Sequence, residues 1–185
     1  GALAFSASGL VARLPMSMVG IGIVLMVSTV YGTEDRGAYG LAGKVSAVLV
    51  VAQAICTPQL AQLVDRYGQA RIMRPAVVVS DASLVGLVVA ASQRADEVWL
   101  YVTAALAGAT IGSFGALVRA RWNHVLGGDS RGVHTAYSLE SALDALVFVV
   151  GPVAATVLAT SVAPAAGLVV PIVAMVAGGF VFLAL

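Results

Sequence analysis

From Ala145 to Leu185 the chain runs for 41 residues without an Asp, Glu, Lys or Arg. A helix that crosses a membrane needs about 20 mostly apolar residues, so this stretch holds two. Shorter runs of the same kind precede it. Leu14–Thr33 and Val45–Val64 are each 20 residues without a charge, and Val98–Val118 is 21. Pro75–Gln93 is 19 residues with Asp81 as its one charge. The long run divides at Ser161-Val162-Ala163-Pro164, where small residues and a proline interrupt a helix. The spacing predicts six helices, at roughly 10–31, 40–64, 75–92, 98–120, 137–160 and 165–185. The expected fold is an all-α membrane protein.

Composition closes the other routes. Of 185 residues, 60% are hydrophobic and 10% charged, with a mean hydropathy of +0.99. Too few polar residues are present to cover a soluble globule, and disorder is excluded for the same reason. A net charge of +1 gives no basic field for nucleic acid. The single Cys56 and the two histidines, His124 and His134, form no pattern of metal ligands. No nucleophile–base arrangement or phosphate loop suggests an enzyme, and no cofactor is called for. The first apolar span is too long for a signal-peptide core.

The basic residues set an expected orientation. Arg13, Arg66, Arg71, Arg74, Arg119, Arg121 and Arg131 fall on one side, and Arg36, Lys44 and Arg94 on the other. The richer side is expected to face the cytoplasm, with both termini on it. His124 and His134 lie on that side and are expected to be solvated.

The connection after the second helix reads Ala61-Gln62-Leu63-Val64-Asp65-Arg66-Tyr67-Gly68-Gln69-Ala70-Arg71. Gly68 supplies a tight turn, Arg66 and Arg71 suit an anionic leaflet, and Asp65 is expected to pair locally or cap a helix. The stretch resembles the G-x-x-x-D-R-x-G-x-x-R/K signature of the major facilitator superfamily, with Ala61 in place of the first glycine and Gln69 in place of a frequent base. In the fifth helix, Ser138-Leu139-Glu140-Ser141-Ala142-Leu143-Asp144 leads into Val147-Phe148-Val149-Val150-Gly151-Pro152; its Gly-Pro resembles the fifth-helix motif of the superfamily's drug exporters, and the longer run resembles permeases common in actinobacteria. Pro152 is expected to kink the helix and Gly151 to admit a neighbour. Pro58 follows Gly43 by 15 residues and Pro152 follows Tyr137 by 15, a faint internal repeat between helices two and five.

The resemblance implies one half of a twelve-helix transporter, its six helices arranged as a three-plus-three repeat. Helices one and four would line a central cavity, two and five flank it, and three and six lie outside. It implies that Asp65, with Arg66, Gly68 and Arg71, forms a conformational latch on a helix of the other half. Superfamily exporters often carry an arginine in the middle of helix four; here Thr103-Ala104-Ala105-Leu106-Ala107-Gly108 has none, so coupling to protons would not run through it. The apolar run reaching Leu185 without a basic anchor reads as the end of an N-terminal domain whose C-terminal half lies beyond it.

Gly108, Gly112 and Gly115 are spaced as one small-residue face of helix four, and packing is their plainer meaning. Acids at membrane depth are candidates for coupling or for structural charge pairs. Asp81 and Asp144 are expected to pair with Arg74, Arg119 or Arg121. Glu140, four residues before Asp144 and on the same helix face, is expected near the membrane boundary, favouring the helix start. Arg13 and Lys44 are expected to reach outward from the span ends. Three functional expectations follow: a secondary active exporter of small organic solutes in a bacterial cytoplasmic membrane, an uptake permease on the same scaffold, or a homodimeric six-helix module without transport.

Overall fold

The computed structural model describes residues 2–32 and 37–184, which places Gly1, Arg36 and Leu185 outside the described residues. The described chain is helical, with no strand, and consists of α1 (Ala2–Tyr31), α2 (Gly37–Tyr67), α3 (Gln69–Ser92), α4 (Glu97–Thr110), α5 (Phe114–Val125), α6 (Ser130–Ser161) and α7 (Ala166–Ala184). Six helical stretches are long and apolar enough to cross a membrane, α4 and α5 together making the fourth. The chain is a multi-pass membrane protein of helical class. The expected number of spans and the break between Ser161 and Ala166 agree with the structure.

Three helices begin earlier than the charge-free runs predict: α1 at Ala2, α3 at Gln69 and α6 at Ser130. Arginine, glutamine and alanine are good helix formers, so the helices continue through charged flanks. What reads as a loop around Asp65 is therefore two helices meeting at one residue. Asp65 and Arg66 occupy the last turn of α2, Arg71 the first turn of α3, and Gly68 alone connects them at φ 93°. That backbone conformation is open to glycine and strained for other residues. Gly68 N–H donates to the Val64 carbonyl at 2.8 Å, closing α2.

The fourth span is the other departure. Its helix stops at Thr110, passes through extended Ile111 and resumes at Phe114. Gly112 consequently leaves the helical face expected for it. Gly108 lies against the Leu49 carbonyl of α2, Gly112 against the side chain of Met73 in α3, and Gly115 beside Arg13, Arg119 and Asp144. The three glycines serve three different contacts, one before the break, one within it and one after it.

α1 is the hub, packing on α7, α6, α2 and α5, while α4 packs on α2 and α3, and α3 on α7. Glycine makes the closest approaches. A Cβ at Gly178 would collide with the α1 backbone at Ala12, one at Gly22 with the Gly167 carbonyl of α7, and one at Gly151 with the Ser17 side chain. Close backbone approach is how helices associate in lipid, where no hydrophobic force drives them together. α6 runs through Pro152 without interruption.

The core is two apolar clusters that follow one another along the helices. At the Gly68 end, Phe5, Ala12, Met73, Val77, Ile111, Phe114, Trp122, Met175 and Phe182 pack together. At the Ala95 end, Val19, Ile23, Val45, Leu84, Leu87, Leu100, Ala107, Leu168 and Ile172 do. The seam between them crosses α3 between Val77 and Leu84 and the fourth span between Ala107 and Ile111. Ser80, Asp81 and the Ile111–Ser113 break therefore lie at one level.

Candidate functional site

Two polar features interrupt the apolar interior. The first is a charge cluster in the Gly68 half. Arg13 of α1 is 3% exposed and Glu140 of α6 is fully buried. Arg13 ion-pairs with Glu140 through Nη2 and with Asp144 through Nη1, the latter at 2.8 Å. Asp144 also takes an ion pair from Arg119 of α5. Ser6 Oγ and Trp122 Nε1 donate to the Glu140 carboxylate at 2.7 and 2.8 Å. Two guanidinium groups answer two carboxylates, so the cluster is neutral as a unit and joins spans one, four and five.

Several expectations change here. Arg13 does not reach outward: α1 starts at Ala2, so Arg13 lies about 16 Å along it at 1.5 Å per residue. Glu140 is not at the helix start: α6 starts at Ser130, which puts Glu140 about 15 Å along it. Asp144 does pair with Arg119, one of the partners expected for it. Lys44, His124 and His134 are exposed. Ser6, Arg13 and Trp122 are the residues that sequence reasoning missed. The signal for Arg13 was present: two acids one turn apart in an apolar helix require bases from facing helices, and few arginines lie within reach.

The cluster borders an open cleft. Arg13, Met16, Ser113, Gly115, Arg119, Asp144 and Phe148 line one recess, and Met16, Val50, Gln53, Thr57 and Ser113 line a second. Thr57 and Ser113 also border a third, towards Val64, Met73 and Gly112. All three recesses meet at Ser113, in the break of the fourth span. The Thr57 hydroxyl is buried there with no hydrogen-bond partner among the described residues. A break at mid-membrane frees backbone groups that a continuous helix would satisfy, and such backbone is tolerated where it is buried in protein or lines a water-filled cavity.

The second feature is Asp81. It is 7% exposed, and neither carboxylate oxygen has a hydrogen-bond partner among the described residues. The arginines expected to answer it are engaged elsewhere. Arg74 donates to the Leu183 carbonyl at 3.1 Å, Arg119 pairs with Asp144, and Arg121 donates to Gln69 and lies over the Phe182 ring. The helix begins at Gln69, so Asp81 is about 18 Å along it, at its middle and twice as deep as a helix starting at Pro75 implies.

The Asp65 region lies at the surface. Asp65, Arg66, Gly68 and Arg71 are all exposed. Asp65 makes no ion pair among the described residues, and the residue at the start of α3 is Gly68, without a side-chain cap, so neither local role expected of Asp65 is filled. Comparisons of the chain with protein-family models, with curated proteins and with solved structures find no match.

Proposed function

We propose that the chain is the N-terminal six-helix half of a secondary active transporter of the major facilitator type, which moves small organic solutes outward across a bacterial cytoplasmic membrane by alternating access. The observation that carries this reading is the pairing of the helices. Span one packs on spans six and five, and span four packs on spans three and two. Exchanging the first three spans for the last three converts each of these pairs into the other, as a three-plus-three repeat requires. Spans two and five form a second such pair by their exposure: α2 and α6 are the least buried of the six spans. Their open faces, carrying Val50, Ile55, Val149 and Val153, fit the flank on which a C-terminal half would close. The recesses that meet at Ser113 are then the half-cavity for the solute.

The exposed Asp65 at the α2–α3 turn suits a latch that finds its partner on the second half. The test is efflux of ethidium from cells expressing the full-length protein, with and without Asp65→Asn. The latch reading expects efflux to fall at least several-fold in the variant at unchanged protein level. In the same cells, a cysteine at Ser113 should change its reactivity towards an impermeant thiol reagent when Asp65 is neutralised. No efflux by either protein, with a Ser113 cysteine of fixed reactivity, would count against transport.

A further inference from the structure

Asp81 is a carboxyl group placed where an ionised form has nothing to hold it. Both oxygens lack a partner among the described residues, and the side chain lies at the seam between the two apolar clusters, at the middle of α3. The elements packed against α3 supply no counter-charge. α7 has no titratable residue, and α4 has only Glu97 and Tyr101, near its far end. On α2, Tyr39, Lys44, Asp65, Arg66 and Tyr67 lie towards the two ends and are exposed, and Cys56 can supply no positive charge. Arg13 of α1 is committed to Glu140 and Asp144, and Tyr31 donates to the Ala95 carbonyl. On α3 itself, Arg71 and Arg74 lie in its first two turns. An isolated carboxylate in such a medium is so costly that the group neutralises instead.

We propose that Asp81 is a proton-binding site at mid-membrane, protonated in the conformation described here and opened to water by movement at the break in the fourth span. The break is the interruption of regular helix that lies beside Asp81. Ser80, the neighbour of Asp81, donates its hydroxyl to the Ala107 carbonyl at 3.4 Å, four residues before Ile111. A shift of α4 against α5 therefore moves the wall beside Asp81. When water enters, the carboxyl O–H bond breaks, the proton passes to water as hydronium and the carboxylate is left hydrated. Closure reverses the step. No oxidant, metal or further reactant takes part. As the coupling site of a transporter, Asp81 rests on the function proposed above; as a protonated acid, it does not.

The measurement is infrared spectroscopy of the full-length protein in lipid vesicles at neutral pH, recorded in H2O and D2O. A protonated carboxyl has a carbonyl stretch distinct from that of a carboxylate and shifts on deuteration. The wild type should show this band, Asp81→Asn should lose it, and Asp65→Asn should keep it. Asp81→Glu should retain a band at a shifted position, which serves where Asp81→Asn folds poorly. Absence of the band from the wild type, or its survival unchanged in Asp81→Asn and Asp81→Glu, overturns the proposal. Loss of the band on adding sodium at fixed pH would make this a sodium site and overturns it too. A protein that shows the band yet transports nothing would sink the transporter reading and leave the proton site standing.

Discussion

Glu140 and Asp81 are both buried acids inside the membrane-spanning part of the chain, and they are buried in opposite ways. Glu140 receives Arg13, Ser6 and Trp122 from two facing elements, and Asp81 receives nothing from the described residues. The contrast comes from the neighbours. α1 and α5 turn an arginine, a serine and a tryptophan towards α6, whereas α3 faces α4 and α7, whose buried faces carry alanine, glycine, aliphatic side chains, Met175 and Phe182, none of them charged. A satisfied acid is a structural tie whose loss leaves its partner stranded. An unsatisfied acid can be lost without stranding anything.

The largest expected effect comes from breaking the tie. Removing one member of a buried ion pair costs about 3–5 kcal/mol, because the other charge stays buried. Glu140→Ala should lower the unfolding temperature of the purified protein steeply, and the double change Arg13→Met with Glu140→Leu should regain most of it. If Glu140→Ala is as stable as the wild type, the cluster is not a tie. A smaller loss should follow from Gly108→Ala, whose Cβ would meet the Leu49 carbonyl and push α2 from the fourth span. Overpacking of this kind costs about 1–3 kcal/mol, and here it acts one residue beyond Ala107, so the carboxyl band of Asp81 should also exchange with D2O faster than in the wild type. Slower or unchanged exchange would separate the break from Asp81.

The smallest effect on stability, and the one that orients the comparison, is from single cysteines. A cysteine at Ala95 should react with an impermeant thiol reagent from outside intact cells, and cysteines at Gln69 and His134 should not. Surface substitutions away from special features stay within about 0.5 kcal/mol, so all three proteins should remain folded. The reverse labelling pattern would place the charge cluster in the outer half of the membrane and Asp65 outside the cell.

The span count was legible because twenty-residue apolar runs leave little else to build. The ends were less so. Charge marks where hydrocarbon stops, but helices go on while residues such as Gln69, Arg71 and Arg74 favour them, and this error hid the depth of Arg13, Asp81 and Glu140 alike. The break at Ile111–Ser113 left a faint trace, since Gly112 and Ser113 are poor helix formers, yet glycine in membrane helices as often means packing. The pairing of Asp144 with Arg119 could be anticipated from charge alone. The isolation of Asp81 could not, because it depends on Arg74 and Arg121 turning to Leu183 and Gln69 instead.

The one-residue turn at Gly68 also bears on how the polypeptide enters the bilayer during synthesis. With no slack between them, α2 and α3 must partition as a helical hairpin. α3 carries an acid at its centre, where an ionised aspartate adds about 2.5–3.5 kcal/mol to the cost of insertion, while each valine or leucine contributes only about −0.3 to −0.6. Joined through Gly68, the apolar length of α2 supports the passage of α3. Lengthening the turn by a few flexible residues would uncouple the two and leave α3 to insert on its own hydrophobicity.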